Sequence, residues 1–256
     1  MNPLEIYKRL PRINCGDCPA KTCMAFAIKV LNKEQAIAEC SRLTEQLRKE
    51  IDSMLPVCRT GRSYAGDWKE KRLAELFQEI SQVDFSSIAE CIGAKVQNGL
   101  LKIKYMGKEV FLSHSVFEEA PGIWDKLLIL MYIKNAGSSS LSGKWTAFRD
   151  LKNGLLRAAG FKDICEAPLA RIFDENKAAF LKKLNETGAE EVTGFSAKYS
   201  FRVDPLPRIP FLILLRPREE DFEPDCKVLL DSTATEFLDV EALLYLGMAL
   251  TVAMKT

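Results

Sequence analysis

The chain has 256 residues, 47% hydrophobic and 28% charged, the balance of an ordinary globular protein and enough for a small module plus a larger domain. Lys and Arg number 36 against 35 Asp and Glu, so a net charge of +1 provides no basic field for nucleic acid. The start, MNPLEIYKRL, lacks the apolar core of a secretory signal. The most apolar run, IWDKLLILMYI at 123–133, is shorter than the about 20 residues of a membrane span and carries Asp125 and Lys126, so a soluble, cytoplasmic protein is expected.

The first 56 residues read as mostly helical. Thr22 caps a predicted helix over 22–30, with Met24, Ala27, Ile28 and Leu31 along one face. A second helix fits 41–54, and TGRSYAG at 60–66 reads as a connecting loop, dividing the chain into modules 1–58 and 67–256. The larger part opens with a helix at 68–80. Two short strands follow around Asn98-Gly99, a strong hairpin signal, and a second turn at Gly107-Lys108 leads into 110–112. Helical pattern returns at 123–134 and 171–184. The clearest strand is FSAKYSFRV at 195–203, alternating apolar and polar. PFLILL at 210–215 is apolar throughout and reads as a central strand covered on both faces, with Pro210 at its start. CKVLLD at 226–231 makes another strand, and a helix over 239–254 ends the pattern. Elements in blocks rather than strict alternation predict an α+β fold: a small helical module followed by a mixed domain with a largely antiparallel sheet.

The chemistry concentrates in NCGDCPAKTC at 14–23. Cys15, Cys18, Cys23 and Cys40 are spaced C-x2-C-x4-C-x16-C. A disulfide framework is disfavoured in a reducing cytoplasm, where clustered cysteines bind metal or react. Structural zinc usually pairs two knuckles, whereas here there is one knuckle, two single cysteines and a distant His114. Three near thiols and one far suit an iron–sulfur cluster better. Gly16 eases the tight turn, and the helix start at Cys23 aims N–H groups and partial positive charge at the site. Residues 1–33 hold six basic residues and two acids, offsetting part of the thiolates' charge.

LPRINCGDCPAKTCMAFAIKV…AIAEC resembles the small 4Fe-4S module at the N-terminus of the corrinoid iron–sulfur protein large subunit, and is similar to that of the B subunit of the Rnf-type electron-transport complex. The resemblance covers roughly the first fifth of the chain. It implies one 4Fe-4S cluster on Cys15, Cys18, Cys23 and Cys40, with Asn14, Gly16, Thr22, Phe26 and Ala27 also fitting. Pro19 departs from a common Gly and cannot donate an N–H to a cluster sulfur. WDKLLILMYI, LSGKWTAFRDLKNG, LPRIPFLILL and KVLLDSTATEFL resemble a domain of uncharacterised function that often follows this module in anaerobic bacteria and archaea. The large barrel of the corrinoid protein is not apparent, so corrinoid binding is not carried over.

Other features have plain readings. His114 is a loop or core residue without a triad partner. Cys58, Cys91, Cys165 and Cys226 form no knuckle and read as small buried hydrophobes. The stretch 141–154 lacks a phosphate-loop pattern and reads as a packed loop anchored by Trp145. The acidic-basic run 216–225 reads as a solvated connection. The leading expectation is a one-electron carrier or redox accessory protein of anaerobic metabolism, near one-carbon or corrinoid chemistry, with a redox protein partner. A regulatory protein with a structural or redox-sensing cluster is the alternative. An enzyme component ranks third, because no catalytic constellation or substrate is legible.

Overall fold

The computed structural model describes residues 3–31, 35–54, 64–119, 121–137 and 140–255. The chain divides into two compact units, Met1–Glu70 and Lys71–Thr256. Helices and two antiparallel sheets make the fold α+β.

In the first unit, α1 (Pro3–Arg9) and α2 (Cys23–Leu31) flank a cysteine-bearing loop, and a 3-10 turn (Ile37–Glu39) precedes α3 (Glu45–Met54). Thr22 caps α2 as expected, its Oγ1 accepting the Ala25 N–H at 3.1 Å. The buried face of α2 is Cys23, Phe26, Ala27 and Val30; of the expected Met24, Ala27, Ile28 and Leu31, Ala27 is fully buried and Leu31 packs partly on the core, but the face is centred on Phe26 and Val30. Ile28 is exposed, because the helix turns its cysteine side toward Ile6, Leu10 and Ile51. The helix expected from residue 41 begins instead at Glu45. Thr44 is its cap, with Oγ1 accepting the Leu47 N–H at 3.4 Å.

The helix α4 (Tyr64–Ile80) starts four residues before the expected 68, so only the first part of the predicted linker at 60–66 is without described structure. A short α5 (Phe85–Ile88) is capped by Asp84, whose Oδ1 accepts from Ser86 N. The first sheet is a meander of β1 (Lys95–Gln97), β2 (Leu100–Tyr105) and β3 (Lys108–Leu112). Both turns are two-residue loops with left-handed residues, Asn98-Gly99 and Met106-Gly107. The second turn thus sits one residue earlier than predicted. Gly107 is required there, since a Cβ would lie 2.6 Å from the Thr187 backbone.

The apolar run becomes α6 (Ile123–Asn135). Tyr132 on it is fully buried; its hydroxyl donates to Ile92 O at 2.8 Å and accepts from Arg208 N at 3.0 Å. The expected packed loop at 141–154 contains an edge strand, β4 (Trp145–Ala147), which pairs with the later strand at Asp225–Asp231; three residues are too short for a periodic signal. A run of α7 (Ala158–Phe161), a π turn (Lys162–Glu166) and α8 (Ala167–Glu175) precedes α9 (Lys177–Glu186). The single helix read at 171–184 is therefore broken at Asn176, whose Oδ1 caps α9 through Ala179 N. Next come β5 (Glu190–Glu191), β6 (Tyr199–Leu206), β7 (Ile209–Arg216) and β8 (Asp225–Asp231). The predicted alternating strand starts late, at Tyr199, and Pro210 is the second residue of its strand. Finally α10 (Ala234–Phe237) and α11 (Val240–Lys255) follow. Strand order in the second sheet is β4-β8-β7-β6-β5, with every pair antiparallel.

One buried carboxylate ties the edge of this sheet. Asp231 is 2% exposed and accepts from Ser142 N and Oγ, Gly143 N, and Thr233 N and Oγ1, at 2.7–3.1 Å. Burial alone would raise its pKa, but the Thr233 and Ser142 donors outweigh burial and hold it below the usual value. Asp231→Asn turns an amide N–H₂ toward these donors. It is expected to lower stability by about 2–4 kcal/mol at neutral pH, measured by urea unfolding. With a depressed folded pKa, the carboxylate's contribution is present above the ordinary Asp pKa of about 3.9 and lost as pH falls through the folded value. The gap between wild type and variant should therefore close in acid.

Candidate metal centre

Three separate segments bring the cysteines together. Cys15 and Cys18 come from the loop after α1, Cys23 from the first turn of α2, and Cys40 from the residue after the 3-10 turn. All four line one small, tight pocket with about 10 Å³ of free interior, floored by Leu10, Ala20 and Phe26. Cys23 and Cys40 are buried, Cys18 is partly covered and Cys15 is exposed, so the pocket opens on the Cys15 side. Among the described residues, no three Cys, His, Asp or Glu side chains converge on one point as ligands of a single ion do. A cluster takes each thiolate on a different iron, which spreads the sulfurs around a larger body. Four soft donors around an apolar floor fit such a group.

The loop is shaped by backbone conformation. Arg12, Asn14 and Gly16 have φ of 60°, 48° and 76°. A Cβ at Gly16 would meet nothing within 4 Å, so glycine is favoured there by its left-handed backbone and not by lack of room. Asn14 tolerates that region and uses its side chain, Oδ1 accepting the Cys23 N–H at 2.8 Å. This corrects the expectation that the helix start directs open N–H groups at the site: Asn14 takes the Cys23 N–H and Thr22 that of Ala25. The Cys18 Sγ reaches Ala20 O at 3.5 Å.

Charge is supplied by residues the sequence reading did not single out. Arg42 Nε lies 2.8 Å from Asp17 Oδ2, and this guanidinium holds the Asp17 carboxyl below its usual range. The Cys15 side chain interacts with both members of the pair. Arg48 donates from Nη2 to the Cys40 carbonyl at 2.8 Å, while its buried Nε has no partner among the described residues. Arg42 and Arg48 follow the last cysteine by two and eight residues, a spacing with no sequence signature.

The other candidates lie elsewhere. His114 stacks on Phe85, centroids 4.0 Å apart, and donates from Nε2 to Val83 O at 2.8 Å; it is a packing residue. Cys165 and Cys226 are buried as expected, and burial pushes the Cys165 thiol up to about 12. Cys91 is exposed, against expectation, on the surface turn between α5 and β1. Cys58 lies outside the described residues.

A thiol-lined pocket on a small helical unit, followed in sequence by an α+β unit, defines a two-unit protein with an N-terminal metal-centre candidate. Residues 84–253, well over half of the chain, match the family described as "Domain of unknown function (DUF3786)", and the chain belongs to that family. Residues 10–42, which contain all four cysteines, match a second family described as "Putative Fe-S cluster".

Relatives are similar mainly over this N-terminal stretch. The acetyl-CoA decarbonylase/synthase complex subunit gamma of Methanothermobacter thermautotrophicus is 36% identical over 52 residues, 20% of this chain and 11% of that one. The corrinoid/iron-sulfur protein large subunit of Moorella thermoacetica is 38% identical over 50 residues, again 20% and 11%. Subunit gamma 2 of the same complex in Methanosarcina thermophila aligns over 193 residues at 26%, 73% of this chain and 33% of that one. The chain thus spans between about a tenth and a third of the length of these relatives. No solved structure matches it, and among the described residues no helix is long and apolar enough to cross a membrane.

The loop geometry makes a local prediction. Gly16→Ala must hold a Cβ residue at φ 76°, at a cost of about 1–2 kcal/mol. Asn14→Ala removes the Cys23 cap, at about 1 kcal/mol. Each should speed maleimide labelling of the buried Cys23 and Cys40 under native conditions, followed by mass spectrometry, and leave labelling of Cys165 unchanged.

Proposed function

We propose that this chain is an iron–sulfur protein of anaerobic one-carbon metabolism that passes single electrons to or from a protein partner, with one 4Fe-4S cluster held by Cys15, Cys18, Cys23 and Cys40. The observation that carries this is the meeting of all four thiols, from three segments, around one pocket. The family match over 10–42 supports an iron–sulfur cofactor. The relatives' names, subunits of an acetyl-CoA decarbonylase/synthase complex and of a corrinoid iron–sulfur protein, support the metabolic setting and a protein partner.

When bound, such a cluster supplies one-electron chemistry. The chain's own residues set its conditions. Phe26, Leu10 and buried Cys23 and Cys40 exclude water from the inner side. Cys15 marks the exposed edge, where a partner can approach closest, and the Arg42–Asp17 pair beside it orders that edge. Arg48 adds a positive charge behind Cys40, which favours the more negative, reduced state of a cluster.

Anaerobically purified protein is expected to contain about four irons and four sulfides per chain and to give an EPR-active state with dithionite. Cys18→Ser should lose most of the iron, while Cys165→Ser keeps it. Two irons per chain, or zinc without sulfide, would overturn the cluster assignment. A full cluster that dithionite cannot reduce would overturn the electron-transfer role alone.

A further inference from the structure

The second unit contains a cleft of about 740 Å³, within the range of small-molecule and cofactor sites of roughly 300–1,000 Å³. Its walls come from the β2–β3 hairpin, the start of α6, the end of α9 and one face of α11. The lining is mostly apolar, with Val110, Leu128, Met248 and Val252 among its residues.

Two features give this cleft chemical character. Trp124 and Tyr245 stack with ring centroids 5.2 Å apart and planes 17° from parallel, and both line the cleft, forming an aromatic wall. Beside that wall stands Asp125. Its Oδ1 accepts the Tyr105 hydroxyl at 2.6 Å, a bond that fixes the carboxylate. Burial, with Asp125 alongside, raises the Tyr105 pKa far above its usual value, so Tyr105 stays a donor. Oδ2 of Asp125 has no donor among the described residues. Asp125 is half-exposed and lines the cleft beside Gly122, the residue before α6, whose lack of a side chain leaves room for Oδ2, since a Cβ there would lie only 3.0 Å from it.

The other charges largely cancel. Lys183 pairs with Glu186 at 3.4 Å, and Glu109 pairs with Lys102 at 2.7 Å. Lys108, Glu119 and Asp125 remain on the lining, so acid outweighs base. An aromatic face attracts cations through its quadrupole, and a fixed carboxylate with one open oxygen accepts a charged N–H.

We propose that this cleft is a binding site for a planar organic cation, which stacks on the outer face of the Trp124–Tyr245 pair and donates a charged N–H to Asp125 Oδ2.

The test is isothermal titration of the full-length, cluster-loaded protein with 9-aminoacridine, a planar cation, and with 1-anilinonaphthalene-8-sulfonate, a planar anion. Saturable binding of the cation, tighter than that of the anion, is expected. Asp125→Asn keeps an acceptor for Tyr105 but removes the charge, and should weaken cation binding at least about tenfold in protein that still unfolds cooperatively in urea. Trp124→Ala should weaken it comparably, and it replaces Asp125→Asn in the test if that variant does not fold. Absence of saturable cation binding, equal or tighter binding of the anion, or wild-type affinity in a folded variant overturns the proposal.

Discussion

The second unit depends on one strand that has no wet face. From Ile209 to Ile213 every residue of β7 is buried, and Leu215 is as well. A strand of this kind must be the centre of its sheet and must be covered above and below. The chain satisfies both demands: β6 and β8 pair along its two edges, and α8 and α10 pack against it. Each fully buried large side chain contributes about 1.5–3 kcal/mol before chain entropy is counted, so the buried residues of β7 dominate the local balance. The polar bonds then fix geometry. Tyr132 links α6 to the β6–β7 turn, and Asp231 fastens the loop before β4 to the end of β8. The β2–β3 turn docks on the same platform through Met106 N and Pro205 O, 3.0 Å apart, and so the wall bearing Tyr105 is held in place.

The first unit is organised differently. Its core is short: Ile6, Leu10, Phe26, Ala27, Val30, Ile37, Leu43 and Ile51, together with Ala20, Cys23 and Cys40. Small cores of this size are commonly reinforced by a metal or disulfides. Two of the four candidate ligands are themselves core residues, so ligation and folding would be coupled: filling the site fastens the 3-10 turn, through Cys40, to the start of α2, through Cys23.

Legibility in the sequence followed the length of the physical signal. The strand at 210–215 and the helix at 123–134 were plain, because several residues report the same environment. Asn98-Gly99 was legible because few residues accept two consecutive left-handed conformations. The edge strand Trp145–Ala147 was missed, since three half-buried residues carry no period. The break at Asn176 was hidden inside a continuous helical pattern and depends on a single capping side chain. The face of α2 was misassigned because hydrophobicity alone ranks Met24 and Ile28 with Phe26 and Val30; only the pocket decides which side turns in. At the site, the cysteines announced themselves by spacing, whereas Arg42 and Arg48 arrive through tertiary structure. The aromatic and acidic lining of the large cleft is drawn from four elements far apart in sequence, so no local pattern could reveal it.

The loop 12–16 has a backbone conformation that burial does not account for. Arg12, Asn14 and Gly16 occupy the left-handed region, a conformation that costs roughly 1 kcal/mol or more for each non-glycine residue. Nothing apolar is gained there: Arg12, Ile13, Asn14 and Cys15 are all exposed, and Gly16 has open space around it. A turn driven by burial would not place strain where nothing is buried. What the conformation achieves is to place Cys15 and Cys18 on the pocket that Cys23 also lines, with Asn14 fastening the loop to the helix start. Under the proposed ligation, strain concentrated where four thiols line one pocket is the strain of a segment shaped around its ligand.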